Sequence, residues 1–158
     1  MIKIATITAI ILFLTLSLAS APALACNQQN KGITIVTVQT KELFTNPDDY
    51  PFPVTFQANA VGQPKSLVGV GTLTHIFPDS AFDSKILLTG SIKGDTLTLT
   101  GRVVKSDAVP EFIGTIVKLV AQTGCKQGDV TLTIITPKDS SFAGLTLVFT
   151  GKATILVK

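Results

Sequence analysis

From residue 33 onward the chain alternates between apolar and polar residues. In Thr96-Leu-Thr-Leu-Thr-Gly-Arg-Val103 the two kinds exchange places at nearly every step. A period of two sends alternate side chains to one face, which is the mark of a half-buried strand. The pattern recurs in segments rich in Val, Ile, Leu and Thr, bounded by Gly, Pro, Asp and Ser. It predicts eight strands: Ile33–Thr40, Val54–Val61, Leu67–Phe77, Lys85–Lys93, Thr96–Val104, Ile113–Gln122, Val130–Thr136 and Leu145–Val157. Helical spacing carried by good helix formers is scarce.

One hairpin can be derived in detail. Gly94-Asp95 makes a two-residue loop suited to the positive φ of primed turns. That loop sets Ile92 against Leu97, Gly90 against Leu99, Leu88 against Gly101 and Ile86 against Val103. Each glycine faces a leucine, so small meets large on the apolar face. The other face carries Lys85, Thr89, Ser91 and Lys93 against Thr96, Thr98, Thr100 and Arg102. Such a ribbon buries one side only.

Glycines also interrupt other strands at Gly69, Gly71, Gly114 and Gly151. Interior glycines mark bends and barrel corners, and closure removes exposed edges. The expected fold is therefore all-β: a single antiparallel eight-stranded up-and-down barrel, with a β-sandwich as the alternative. In an up-and-down meander the loops alternate between two ends. The connections at 40–54, 77–85, 104–113 and 136–145 share one end. They gather Asp48, Asp49, Asp79, Asp83, Asp107, Glu111 and Asp139 with Tyr50, Phe52, Phe82, Phe112 and Phe142. Long aromatic and acidic loops on a rigid scaffold suggest a mouth. A Greek-key sandwich would scatter them.

The first 25 residues have a different character. Lys3 precedes a largely apolar run from Ala5 to Ala21, which ends in Ala23-Leu-Ala25. This is the layout of a secretory signal peptide, with a transmembrane anchor as the alternative. The expected organisation is a signal peptide over 1–25 and one barrel domain over 26–158, secreted or lodged in the cell envelope or periplasm. The mature chain would begin at Cys26. Ala23 suits ordinary signal peptidase better than a lipobox, and Cys125 supplies a partner in an oxidising compartment. The topology puts both cysteines at the end opposite the mouth. A Cys26–Cys125 disulfide is expected over acylation, and it would constrain the unfolded chain by roughly 4–5 kcal/mol at most. Membrane attachment follows only if Cys26 is acylated.

Thirteen Lys and Arg stand against ten Asp and Glu, and no basic run is interleaved with aromatics. Nothing here points to nucleic acid. His75 is the sole histidine, too few for the usual zinc or copper ligand sets. No G-x-S-x-G elbow accompanies it, so it reads as structural or ligand-lining. Asp48, Asp49, Asp79 and Asp83 are weak calcium candidates without an EF-hand run, since turn aspartates bond their own backbone. No cofactor is expected. The candidate mouth residues are His75, Phe77, Phe52, Phe82, Phe112 and Tyr50.

The strand count is similar to that of lipocalins and avidins, yet the chain has no Trp, which marks both. Allene oxide cyclase-like and dirigent-like barrels share the look of Gly-bearing strands, without a motif that matches here. Four functions stay open. A secreted barrel could bind a small apolar or amphipathic ligand at its loop-rich end, which calls for an internal cavity. A structural or protein-binding module of the cell envelope or extracellular matrix calls for a filled core. An enzyme would use Asp79, Asp83 or Glu111. An outer-membrane barrel would need a polar lumen.

Overall fold

The computed structural model describes residues 32–40, 42–46, 51–123, 128–142 and 144–158. Eight strands follow one another: β1 (Thr34–Thr40), β2 (Val54–Gln63), β3 (Ser66–Ile76), β4 (Ala81–Lys93), β5 (Thr96–Ser106), β6 (Ile116–Gln122), β7 (Gly128–Ile135) and β8 (Thr146–Val157). A 3-10 turn at Pro110–Phe112 lies between β5 and β6. Each strand pairs antiparallel with the next, and β8 pairs with β1, so the sheet closes into an up-and-down barrel. Closure excludes the sandwich.

The β4–β5 hairpin has the register that its turn dictates: Ile92–Leu97, Gly90–Leu99, Leu88–Gly101 and Ile86–Val103. Gly94 takes φ 58°, the left-handed conformation this turn requires. Two boundaries move by more than two residues. The amide of Phe77 donates to the carbonyl of Ser80 at 2.8 Å, so the turn is tight and β4 starts at Ala81, not Lys85. The 3-10 turn and Gly114, at φ 96°, delay β6 from Ile113 to Ile116. A bulge between Lys85 and Ile86 of β4 leaves Val104 of β5 unpaired in that register.

One row of paired residues circles the barrel: Thr34, Gly62, Leu67, Gly90, Leu99, Leu119, Leu132 and Phe149. It does not return to Thr34. Phe149 ends beside Thr150, whose bridge partner is Thr45. The strands are staggered, as closure of tilted strands demands. The chain meets this stagger by leaving the ladder after Thr40 and rejoining it at Phe44 and Thr45, which bridge Val54 and Thr150. Across the gap, the Thr40 hydroxyl accepts from the Phe56 amide and donates to the Phe56 carbonyl, both at 2.5 Å. Phe44 turns its ring inward onto Gly151, where a Cβ would collide with it.

The lumen is filled. A second row runs Val36, Ala60, Gly69, Leu88, Gly101, Val117, Ile134 and Leu147. Here too small meets large: a Cβ on Gly101 would come within 2.6 Å of both Ile86 Cγ2 and Leu88 Cδ2. All eight strands contribute to one continuous apolar cluster. Burial of this cluster is the main source of stability, at about 25 cal/mol per Å² of apolar surface. Outside, Lys85, Thr89, Lys93, Thr100, Arg102 and Lys118 face solvent. The outer wall mixes these polar positions with exposed Ile35, Val61, Val68, Val70, Leu87 and Val104, and the apolar lumen is the reverse of the polar lumen of a lipid-spanning barrel.

Candidate functional site at the barrel mouth

The strand order brings the connections 41–53, 77–80, 107–115 and 136–145 to one end. The opposite end, the floor, holds the Pro64-Lys65 and Gly94-Asp95 turns, the end of β6 and the start of β7. The loops therefore sort as the meander requires.

The mouth is closed by a layer of rings drawn from all four of its connections and the adjoining strand ends. Phe52 packs on Phe77 with centroids 4.4 Å apart. Phe77 stacks on Phe82 at 5.4 Å, and Phe82 meets Phe112 edge-on at 5.6 Å. Phe112 meets Phe142 edge-on at 5.2 Å. Offset stacks and edge contacts of this kind are each worth about 0.5–1.5 kcal/mol beyond burial. Phe82 and Phe112 are buried, whereas Phe142 is 39% exposed and forms the outer rim.

His75 lies under this layer. The alternation that turns Leu67 and Leu73 of β3 inward turns His75 inward as well. Its backbone pairs with Val54 on β2 and Phe82 on β4. Its ring stacks on Phe82 at 4.8 Å and 12°, and meets the edge of Phe112 at 4.9 Å. The residue is fully buried, and neither ring nitrogen has a hydrogen-bond partner. Burial lowers its pKa from 6.5 to about 4, so the imidazole is neutral at neutral pH.

Other polar side chains share this level. Ser84 and Ser106 face each other with hydroxyls 3.3 Å apart. The Thr136 hydroxyl donates to the carbonyls of Phe142 and Leu145. Thr115 is buried with its hydroxyl unpartnered. The lumen thus changes from apolar to polar just below the aromatic lid. This layer is absent from the mouth that the sequence predicts, although Ser84 is in phase with the inward Phe82 and Ile86.

Of the expected mouth residues, the structure brings together His75, Phe77, Phe52, Phe82 and Phe112. Tyr50, Asp48 and Asp49 lie outside the described residues, as do Cys26 and Cys125. Asp79 is exposed. Asp83 points outward, accepts from the Thr74 hydroxyl at 2.7 Å and sits 4.0 Å from the Lys85 ammonium. Glu111 accepts from the Ser141 hydroxyl and so ties two mouth loops together. Among the described residues no three acidic, His or Cys side chains gather to hold a metal ion. Among the described residues neither ring nitrogen of His75 bonds a nucleophile or an orienting carboxylate, as a triad base would. No family model matches the chain, and no curated protein or solved structure matches it.

Proposed function

We propose that this protein is a secreted, non-enzymatic interaction module of the cell envelope or extracellular matrix that works through its outer surface. The filled lumen is the observation that carries this reading, because a barrel that houses a ligand keeps room for it. The outer wall supplies a surface. Ile35 pairs with Val61, Val61 with Val68, and Val70 with Leu87. Val70, Leu87 and Val104 line one shallow groove. These six residues are all exposed, Val70 and Leu87 to 57% each, and they cross β1 to β5 as one stripe. Contiguous exposed apolar surface of this kind marks interaction sites.

Sedimentation of the mature chain over a range of concentrations tests the reading, with envelope or matrix material added in a parallel series. Association that Val70→Lys/Leu87→Lys abolishes without unfolding the barrel is expected. A protein that stays monomeric and binds nothing in either series would contradict it.

The unpartnered nitrogens of His75 favour a second reading, in which a small amphipathic ligand engages the mouth rather than the lumen. Secretion rests on the leader over residues 1–25. A Cys26–Cys125 disulfide fits the strand order, since β1 begins, β6 ends and β7 begins at the floor. Intact mass and thiol titration of the native protein test both: a chain starting at Cys26 without free thiols is expected.

A further inference from the structure

We propose that the mouth is an acid-opened lid: protonation of His75 releases the aromatic layer of Phe77, Phe82 and Phe112 while the barrel waist stays closed. The proposal is independent of which partner the protein meets. It rests first on placement. His75 is the pivot of the layer, stacked on Phe82 and edge-on to Phe112, with both nitrogens dry and unpaired. An imidazolium there would bury a charge and two donors without an acceptor, which proteins avoid by moving the group to water.

Among the described residues no nearby acid is placed to hold that proton. β2 carries no titratable residue, and His75 is the sole one on β3. On β4, Asp83 is turned outward to Thr74 and Lys85 is exposed. At the end of β5, Lys105 and Asp107 pair with each other in solvent at 3.1 Å. Glu111, next to Phe112, is exposed and bonded to Ser141. Asp79, Lys138 and Asp139 of the mouth loops are exposed. Among the described residues, then, no carboxylate faces the ring, and release of the lid is the way to hydrate it.

The waist has no counterpart. Its inward rows contain glycine, aliphatic residues and Phe149, with Thr34 at the floor edge, and no titratable group. The lid is also held by amide-to-carbonyl bonds in turns and at the fraying ends of ladders: Phe77 to Ser80 and Phe112 to Val109 within turns, Asp107 to Asp83 and Gly114 to Val103 at strand ends. These can break without unzipping the ladder between β5, β6 and β7. A histidine that titrates normally when exposed, and near 4 when covered, shifts the opening equilibrium by roughly 300-fold at full protonation.

Amide hydrogen exchange of the mature chain at about pH 7.5 and about pH 4.5, corrected for intrinsic rates, tests the lid. The reporters are Phe77, Asp107, Phe112 and Gly114 at the mouth, against Leu99, Leu119 and Leu132 at the waist. The expected result is a mouth opening that leaves the waist amides protected and becomes roughly 50- to 100-fold more populated in acid. His75→Phe and His75→Gln should both lose that acid response; either suffices if the other fails to fold. Mouth and waist amides sharing one common protection would overturn the proposal. So would unchanged mouth protection in acid, or a folded His75 variant that keeps the response.

Discussion

The waist and the mouth of this barrel are built from the same strands, yet they solve the packing problem in opposite ways. At the waist every inward position above Thr34 at the floor edge is aliphatic, aromatic or glycine, and large side chains sit where glycine makes room. Nothing polar has to be satisfied there except the backbone, and the closed ladder does that. At the mouth the strands end in His75, Ser84, Ser106, Thr115 and Thr136, and aromatic rings close over them. Two imidazole nitrogens and one hydroxyl go unpaired. Each such group costs about 1–3 kcal/mol when buried. The waist therefore holds the fold, and the mouth carries a local cost that the waist can support.

The largest predicted effect compares one chemistry in both regions. Phe149→Ala removes a fully buried waist ring and should cost about 3–5 kcal/mol in urea unfolding. Phe142→Ala, at the exposed rim, should cost less than about 1 kcal/mol. Equal costs would erase the distinction between the regions.

Acid comes next. His75 has a lowered pKa in the folded state, so the unfolded chain takes up its proton first as pH falls. Its contribution is complete above about pH 6.5 and is lost as pH falls toward about 4, amounting to about 3 kcal/mol. Carboxylates titrate near the lower end of this window, so the measured quantity is the difference between wild type and His75→Phe across a pH series. That difference should widen steadily below pH about 6.5. At neutral pH, His75→Phe should already gain about 1–3 kcal/mol, because it removes unpaired polar atoms from an aromatic setting.

A smaller effect belongs to the waist glycines. Gly101→Val would push into Ile86, Leu88 and the Leu87 carbonyl, and should cost about 1–3 kcal/mol. A neutral result in thermal unfolding would mean that the lumen has slack, and the contrast with the mouth would weaken.

Much of the waist was legible in the sequence because its signals are local. Gly94-Asp95 fixed a turn, the turn fixed a register, and alternation fixed which side chains face in. Loop sorting then followed from strand count, and it placed Phe52, Phe77, Phe82 and Phe112 at one end with His75. The stagger was not legible, because it is the sum of eight registers, the β8–β1 closure included, and belongs to no single segment. For that reason the return of the chain at Phe44 and Thr45, and the seat of Phe44 on Gly151, came only from the structure. Whether the lumen is empty or filled was hidden for the same reason. The polar layer was obscured by an ordinary rule: Asp83 and Ser84 look like turn residues, and Ser84 proved to be an inward strand position.

The most direct test of the account is the titration of the His75 imidazole in the folded protein by NMR. The chain contains one histidine, so its ring resonance is identified without assignment. A dry, neutral His75 under a closed aromatic lid predicts a midpoint at about 4. A midpoint near the ordinary value of about 6.5 would show a solvated ring, and it would contradict both the closed mouth and its opening in acid.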